Sequence, residues 1–409
     1  MKMIEQVVNK TFLSKNNTPL ILLGLFMTGI GLSCSCANSI DESEIKHVVV
    51  ASEEDRYFGW PANNGLWTWN NGQEILVGFT DGPHDSDGGF HQIGDPQLSR
   101  LARSTDGGHT WTDYDPDNYV GDGGSPEPSP GNINFGHDGF VMRIAATGYH
   151  GTSDSKGRFF YSYDRGQTWN GPYRFTGLTD GGNLDNKMIT ARTDYRVTGP
   201  NSAQIFMTAR PSKPGSGPDY PKRTRRDKPF VVETTDGGKT FRFISWVVDF
   251  PDDLYDECHR AAMPSTVVTD DGNLVMVTRG RNPFNNSQQC WIDAHRSEDN
   301  GRTWTHLNGG NPIALTGVNN GNPAGLTLLE DGRLVVTYGN RSKNQVLIRV
   351  SEDNGDTWGE EIVIRDNLDN HDFGYPQITQ NSDGQLVVIY YMTNDDRTST
   401  FIEAAIFQP

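Results

Sequence analysis

Cysteine is scarce in this 409-residue chain, which has four, and no set of His and Cys residues has the spacing of a zinc site. Glycine-rich nucleotide loops and Rossmann fingerprints are missing too, and no long segment repeats apolar residues at helical spacing. These absences exclude zinc-finger proteins, nucleotide-binding enzymes and helical bundles. The sequence implies no cofactor.

Basic charge is also in short supply, because 35 Lys and Arg residues face 52 Asp and Glu residues, for a formal net charge of −17. Nucleic-acid binding needs a broad basic face, so nucleic acid is not expected as a partner. One basic stretch, between residues 213 and 228, is interpreted either as a solvated loop or as a patch that steers an anionic polymer.

Long apolar runs are absent after the N-terminal region, where a run of about 14 residues from Pro19 to Leu32 follows several lysines. A membrane span needs about 20 apolar residues, so the run predicts an export signal over residues 1–36. The sequence Gly31-Leu32-Ser33-Cys34 resembles a bacterial lipobox. We therefore expect lipidation at Cys34 and a periplasmic or outer-membrane-tethered protein that meets the membrane through this anchor, with simple secretion as the alternative.

Glycine and proline, by contrast, are abundant, with 46 and 22 residues, which favours many short strands joined by tight turns. One eight-residue pattern, Ser/Thr-x-Asp-x-Gly-x-Thr-Trp/Phe, occurs at residues 104–111, 162–169, 234–241, 297–304 and 351–358. In each copy the Asp can accept N–H bonds across a turn, the Gly can adopt a positive φ, and the aromatic residue can pack beneath. The repeated aspartates are therefore predicted to be structural rather than catalytic or calcium-binding.

These repeats are Asp-boxes, and on them the chain resembles the sialidase-like superfamily of β-propellers. Their aspartates lie 58, 72, 63 and 54 residues apart, a period typical of one four-stranded blade per repeat. We predict an all-β, sialidase-like propeller of six four-stranded blades over residues 47–409, after a short tether at residues 37–46. Residues 401–407 are expected to pair with residues 47–51 and close the ring, which removes exposed sheet edges.

Each blade is expected to open with a pair of antiparallel strands, at residues 60–79, 133–147, 188–210, 263–281, 323–341 and 375–391. The start of the first strand and the end of the second share one rim, whereas the Asp-box lies on the other, so function should gather on the rim away from the boxes. This rule collects Arg56, Asn63, Asn64, His84, His91, Asn186, Lys187, Arg210, His259, Arg260, Arg279, Arg281, Asn322, Arg341, His371 and Tyr375.

Several arginines on one rim would bind the carboxylate or sulfate of an acidic sugar, because the guanidinium group binds planar anions in bidentate fashion. They would otherwise connect neighbouring blades through carboxylates such as Asp185 or Asp372. The expected partner is an acidic oligosaccharide, bound by a monomer.

The sialidase resemblance implies roles for particular residues. Sialidases open their first blade with Arg-Ile-Pro, whereas this chain has Gly59-Trp60-Pro61, so the first arginine of the carboxylate-binding triad is missing. The other two arginines match Arg279, or its neighbour Arg281, and Arg341. The nucleophilic tyrosine matches Tyr375, but the glutamate that activates it has no evident counterpart.

The segment at residues 59–65, together with four histidines, resembles the uronate-active branch of the superfamily, which includes rhamnosyl-glucuronate lyases and the ulvan oligosaccharide dehydratase. The resemblance implies β-elimination by a dehydratase or lyase from the non-reducing-end uronic acid of an ulvan-type oligosaccharide, to give a 4,5-unsaturated sugar. Tyr375, His259 or His371 would remove the C5 proton, while arginine and asparagine side chains stabilise the developing charge. The expected substrate-binding residues are Asn63, Asn64, His84, His91, Lys187, Arg210, Arg260, Arg279, Arg281 and Arg341.

Two alternatives stand beside elimination: an exo-glycosidase or sialidase that hydrolyses a terminal acidic sugar, and a non-catalytic glycan-binding propeller. The missing Arg-Ile-Pro motif favours elimination over a sialidase. Glycosidases usually use paired carboxylates, and the predicted rim offers no convincing pair beyond Asp85, Asp87 or Asp95. A structural calcium on the propeller axis would be compatible with the many oxygen ligands, although no spacing resembles a dedicated loop. The mature chain retains Cys258 and Cys290, which an oxidising compartment would permit to pair.

Overall fold

The computed structural model describes residues 44–87, 91–118, 124–146, 156–179, 182–185, 187–190, 192–211, 227–248, 260–281, 289–318, 320–368, 372–393 and 398–409. Several predicted features lie outside these residues: the signal region with Cys34, most of the basic stretch, Asn186, Cys258, His259 and His371. Among the described residues, no helix is both long enough and apolar enough to cross a membrane.

The described residues form 27 strands and one short α-helix. In chain order the elements are β1 (Lys46–Ala51), β2 (Arg56–Gly59), α1 (Pro61–Asn64), β3 (Leu66–Trp69), β4 (Glu74–Pro83), β5 (Leu98–Ser104), β6 (Thr112–Tyr114), β7 (Glu127–Pro128), β8 (Val141–Ala145), β9 (Arg158–Ser162), β10 (Asn170–Arg174), β11 (Lys187–Thr190), β12 (Tyr195–Gly199), β13 (Ser202–Pro211), β14 (Lys228–Thr234), β15 (Arg242–Trp246), β16 (Arg260–Val268), β17 (Leu274–Arg281), β18 (Gln289–Ser297), β19 (Thr305–His306), β20 (Ala314–Val318), β21 (Ala324–Leu328), β22 (Leu334–Asn340), β23 (Gln345–Ser351), β24 (Ile362–Arg365), β25 (Gly374–Gln380), β26 (Leu386–Thr393) and β27 (Thr400–Phe407). Two 3-10 turns lie at Gly182–Leu184 and Asn308–Gly310.

The strands build an all-β propeller, as predicted, from consecutive sheets. Four sheets are separate: β7–β10, β11–β15, β16–β20 and β21–β24. A further sheet of nine strands contains both ends of the described chain, because Tyr57 of β2 pairs in parallel with Thr400 of β27. The prediction of six four-stranded blades is not confirmed, since two of the separate sheets have five strands and the first and last segments share one sheet.

Pairing between the two ends of the described chain closes the ring. β1 runs antiparallel to β27, with Lys46 opposite Ile406 and Val48 opposite Ala404. The predicted pairing of residues 47–51 with residues 401–407 is therefore confirmed. The consequence is that β27 has a partner on each side, because β26 lies along its other edge.

Alternating apolar side chains hold neighbouring sheets together. Along β17, Val275 and Val277 pack into a core that contains Leu326 of β21, whereas Met276 faces the opposite way and packs against Val231 of β14. Successive residues of a strand point to opposite faces, so one strand can contribute to two cores. Each such buried side chain contributes about 1.5–3 kcal/mol relative to an exposed one.

The Asp-boxes are structural turns, as their local chemistry predicts. In the fourth box, Asp299 accepts hydrogen bonds from the Ser297 hydroxyl at 2.9 Å, from the Thr303 amide at 2.8 Å and from the Thr303 hydroxyl at 2.7 Å. Although burial raises the pKa of Asp299, these hydrogen bonds lower it to about 2. Its oxygens are thus occupied by the turn itself.

One predicted strand pair takes a different form. Residues 133–147 were expected to contribute two strands, but the described part of that segment contains β8 alone. The residues before β8 form turns, and Gly139 passes so close to the chain that an added Cβ would lie 2.2 Å from the Tyr163 carbonyl oxygen. That close approach requires glycine at this position.

Candidate active site

Strand register separates two rims of the propeller. In the β16–β17 pair, Arg260 lies opposite Arg281 at one end, and Val268 lies opposite Leu274 at the other. Leu274 also pairs with Ser297, which begins an Asp-box. The arginines therefore lie on the rim away from that box, as the sequence predicts.

Tyr375 occupies this rim in a constrained backbone conformation. Its φ is 45°, and it lies in a bulge between Gly374 and Gln377 where the register of β25 with β26 shifts. The Tyr375 amide donates a 2.9 Å hydrogen bond to Asn322 Oδ1. Gly374 is required here, because its φ is 99° and an added Cβ would lie 2.4 Å from that same oxygen.

Two arginine side chains converge on the Tyr375 phenol. Arg279 Nη1 donates to the Tyr375 hydroxyl at 3.3 Å, and the Arg341 guanidinium lies 5.8 Å from the centre of the ring. Arg279 is held from the other side by Asn320 Oδ1 at 2.6 Å. Tyr375 and both arginines are buried. This cationic surrounding stabilises a bound anion such as a carboxylate.

A buried carboxylate, Asp372, organises the neighbouring part of the site. It accepts hydrogen bonds from the Tyr391 hydroxyl at 2.6 Å and from the Tyr57 hydroxyl at 2.9 Å, and its Oδ1 lies 2.7 Å from His91 Nδ1. Burial raises the pKa of Asp372, but the hydrogen bond and charge of His91 outweigh it, so the pKa lies below its usual value. Asp372 is therefore ionised at neutral pH and orients the His91 imidazole.

Trp60 packs against this cluster where sialidases have the Arg-Ile-Pro motif. It is fully buried, adopts a φ of 55°, and lies edge-on to His91 with 5.1 Å between ring centres. The conformation turns the chain into α1, where Pro61 occupies the first helical turn. Arg56, the nearest candidate for the missing arginine, instead donates to Asp81 at 2.9 Å.

The two asparagines of α1 lie in the same blade and are buried. Asn64 donates to the Trp60 carbonyl and the Thr80 hydroxyl, both at 3.2 Å, and accepts from Arg143 at 3.0 Å. These contacts fix the helix. Asn63 is also buried, at 5% exposure.

Four other predicted binding residues, Arg260, Arg210, Lys187 and Arg281, have partners other than Tyr375. Arg260 forms a buried ion pair with Asp227 at 2.5 Å, and Arg210 lies 3.7 Å from the same carboxylate. Burial raises the pKa of Asp227, yet the charges of these arginines lower it overall. Lys187 lies 5.9 Å from the centre of the Trp246 ring. Arg281 pairs with Arg260 across the strands.

His84 lies near the Asp372 cluster, and its backbone bridges to Ile93. Burial lowers the pKa of His84, although nearby Asp55, Asp85 and Asp372 oppose that effect. His84 is thus biased towards its neutral form.

The rim rule missed Met263, which occupies part of the space beside Arg279. Its Sδ lies 3.8 Å from Arg279 Nη1, and its φ is 57°. Among the described residues, no carboxylate is hydrogen-bonded to the Tyr375 hydroxyl. The rule also missed Tyr57 and Tyr391, whose hydroxyls donate to Asp372. In the sequence, Asp372 lies three residues before Tyr375, and this proximity was the signal that could have placed Asp372 in the site.

Comparison with known proteins agrees on the fold. The profile of the BNR repeat-like domain family matches residues 138–388. A search of curated protein sequences gives no significant match. A Dyadobacter fermentans protein of unknown function is similar in structure, with a TM-score of 0.62 and 20% identity over 89% of this chain and 98% of that one.

Two enzymes share the fold at lower identity. A Penicillium chrysogenum α-L-arabinanase, solved with arabinobiose, has a TM-score of 0.54 and 12% identity over 88% of this chain and 98% of its own. A Hadza microbial sialidase has a TM-score of 0.55 and 14% identity over 87% of this chain and 68% of its own. At these identities the similarity establishes the sialidase-like propeller fold.

Proposed function

This chain belongs to the BNR repeat-like domain family, and we propose that it is a carbohydrate-active enzyme that hydrolyses the bond to a terminal acidic sugar. The observation that carries the proposal is the convergence of Arg279 and Arg341 on the Tyr375 phenol. The glycosidase activities named for neighbours of the same fold support hydrolysis as the reaction type.

The two arginines are proposed to bind the carboxylate of the sugar. Guanidinium groups bind carboxylates in bidentate fashion, and their burial strengthens the interaction by limiting competition from water. A neutral sugar would leave this cationic surrounding uncompensated. The substrate class is therefore an oligosaccharide that ends in an acidic sugar.

Tyr375 is proposed as the nucleophile and His91 as the acid. The phenol releases its proton to solvent as its oxygen attacks the anomeric carbon, while the leaving oxygen takes a proton from His91. Asp372, at 2.7 Å, stabilises the protonated imidazole. Water then attacks the same carbon and passes one proton to His91, and the Tyr375 oxygen leaves as a phenolate that regains its proton from solvent.

A second candidate is β-elimination from a terminal uronate, favoured by the thioether of Met263 beside Arg279 in place of an activating carboxylate. Tyr375 would then remove the C5 proton and His91 would protonate the oxygen that leaves C4. The product would be a 4,5-unsaturated sugar formed without consumption of water.

Incubation of the mature protein with glucuronate-, iduronate- and sialate-terminated oligosaccharides distinguishes these reactions by ultraviolet absorbance and product mass. A saturated acidic monosaccharide supports hydrolysis, whereas absorbance from a new double bond supports elimination and contradicts hydrolysis. Tyr375→Phe should abolish either reaction. The matched control is Tyr338→Phe, which removes a buried hydroxyl bonded to Glu361 and should retain activity. Binding without any product would overturn the enzyme proposal in favour of a glycan-binding propeller.

We also propose that the nine-stranded sheet corresponds to two blades, one of β25–β27 with β1 and the other of β2–β6, joined through Tyr57 and Thr400. This division gives the six blades expected from the sequence.

Export and lipidation at Cys34 are also proposed, since an enzyme outside the cytoplasm would meet its glycan substrate in that compartment. Mass spectrometry of the membrane fraction tests the lipid.

A further inference from the structure

A cavity of about 270 Å3 lies between two neighbouring sheets, away from the candidate active site. Its lining includes none of Tyr375, Arg279 and Arg341. Its apolar wall contains Val248, which follows β15, and Pro312. Its polar wall comes from Trp291, Asp293 and His295 of β18, from His306 of β19 and from Arg260 of β16, which is paired with Asp227. The volume is close to the lower limit of ligand pockets, about 300 Å3, and suits a single small ring.

The polar wall is one face of β18. Trp291, Asp293 and His295 alternate with Ile292 and Ala294, so they point to the opposite side of the strand. Ile292 and Ala294 fill the core towards the following sheet. The polar face is therefore left over from core packing, and its residue types need another explanation.

Asp293 is held as an acceptor at this wall. Its Oδ2 accepts a 2.7 Å hydrogen bond from Trp291 Nε1, and its Oδ1 lies 3.3 Å from His306 Nε2. These two contacts fix the carboxylate plane. Each carboxylate oxygen retains further acceptor capacity, because an ionised carboxylate offers about four lone-pair sites.

His295 supplies a second polar group at this wall. Its ring stacks on His306 with centres 4.8 Å apart, and the residue is 3% exposed. Among the described residues, no group forms a hydrogen bond with His295 Nδ1. Burial, and then the neighbouring His306, lower the pKa of His295 to about 4, so the imidazole is neutral at pH 7. A buried unsatisfied nitrogen is costly unless a bound molecule completes it.

We propose that this cavity binds a neutral sugar residue. Hydroxyl groups of the sugar would bond to His295 Nδ1 and Asp293, while its C–H face packs on Trp291 and Pro312. The Asp293 carboxylate disfavours an anionic ligand, because the charge of Arg260, which also lines the cavity, is balanced by Asp227. Within the described part of the chain, no group of three His, Cys, Asp or Glu residues could hold a metal ion. Aromatic side chains that pair an apolar face with a polar edge suit such a ring. This site does not depend on the reaction at Tyr375.

Binding is tested in the Tyr375→Phe protein, which excludes turnover. Methyl glycosides of neutral hexoses, 6-deoxyhexoses and pentoses, with methyl glucuronide for comparison, are titrated by calorimetry and ligand-observed NMR. His295→Phe keeps the stacked ring but removes its nitrogens, and Asp293→Asn keeps the volume but removes the charge. Each variant should weaken binding of one neutral glycoside at least about 10-fold, the loss expected for one buried hydrogen bond.

The matched control is His109→Phe, which makes the same substitution at an Asp-box and should leave binding unchanged. Thermal unfolding checks that each variant is folded. The proposal is overturned if no neutral glycoside binds up to about 20 mM, a very weak affinity. It is also overturned if His295→Phe and Asp293→Asn both retain the affinity of the parent, since the sugar would then bind elsewhere. Loss of activity at Tyr375 without loss of this binding would affect only the proposed reaction.

Discussion

Asp372→Asn should both destabilise the protein and reduce its activity. The Asp372 side chain is buried and receives the hydroxyls of Tyr57 and Tyr391, with His91 at 2.7 Å and the Gln92 amide at 3.3 Å. An amide keeps the volume but removes the charge. It also places an N–H2 group where donors now point, so at least one of these contacts must be lost or reversed.

The magnitude follows from the type of bond that is lost. Hydrogen bonds to a charged group contribute about 1.5–3 kcal/mol each, against about 1 kcal/mol for neutral pairs. With three side-chain partners, the difference of about 0.5–2 kcal/mol per bond sets a loss of about 1.5–6 kcal/mol. Relief of the desolvation cost of the buried charge offsets part of it, which leaves roughly 1–3 kcal/mol. In a chain of this size that corresponds to a fall in Tm of about 1–4 °C.

Thermal unfolding as a function of pH tests the reasoning. The pKa of Asp372 is depressed in the folded state, so its contribution is present above the unfolded pKa and is lost as the pH falls through the folded value. The gap between parent and variant should therefore be widest near pH 7 and close below about pH 4. Tyr57→Phe and Tyr391→Phe, which each remove one donor, are the controls and should show smaller losses.

The same variant should lower kcat about 100-fold, because His91 loses the carboxylate that orients it. A variant with the Tm of the parent at pH 7, or a gap that does not change with pH, would refute the assigned role of the carboxylate. Loss of stability with normal kcat would instead show that Asp372 is structural and that His91 is not the acid.

Three further predictions concern other parts of the fold. Asp299→Asn should lower the free energy of unfolding by about 1 kcal/mol at pH 7. A pKa of about 2 in place of 3.8 corresponds to at most about 2 kcal/mol, and solvent screening reduces that figure. Chemical denaturation should show that the loss fades below pH 4. Gly374→Ala should destabilise the protein by about 2–3 kcal/mol and reduce activity, because the added Cβ would meet Asn322. The control Gly384→Ala should cost about 1 kcal/mol, since φ is +74° there but the nearest atom to an added Cβ is 3.8 Å away. Equal Tm losses in the two variants would contradict the close approach to Asn322. Asp194→Asn should become increasingly more stable than the parent as the pH rises from about 4 to 8. Burial raises the pKa of Asp194 to about 7 despite Arg192 and Thr266, and a carboxyl group with a raised pKa costs stability as it ionises. A stability difference between variant and parent that does not depend on pH would contradict this.

The Asp-boxes could be predicted from the sequence because their interactions are local. Asp299 bonds to residues within four positions of itself, and the same holds for Asp106. The pairing of the chain ends was also accessible, since two alternating apolar strands at opposite ends of a propeller have few other partners. Blade number was harder, because the sequence cannot show that β2 and β27 join two segments into one sheet.

The site was only partly predictable, because its central contacts are distant in sequence. Tyr57 and Asp372 are separated by 315 residues, and His91 and Asp372 by 281. A rule that selects residues at strand ends identifies the rim but not the direction of each side chain. Arg279 and Arg260 illustrate the difference, since the first contacts Tyr375 and the second is held by Asp227.

Backbone conformation adds an independent argument for the location of function. Among the described residues, those with positive φ that are not Gly, Asn or Asp are Trp60, Arg165, Met263 and Tyr375. Arg165 lies in an Asp-box turn, whereas the other three pack in one core cluster beside Tyr391. Left-handed conformations of large side chains cost about 1–3 kcal/mol each, and they persist where the surroundings impose them, often at functional sites. Three such residues in one cluster indicate that the surrounding packing holds Trp60, Met263 and Tyr375 in unfavourable backbone conformations. The proposed chemistry requires fixed geometry at this place.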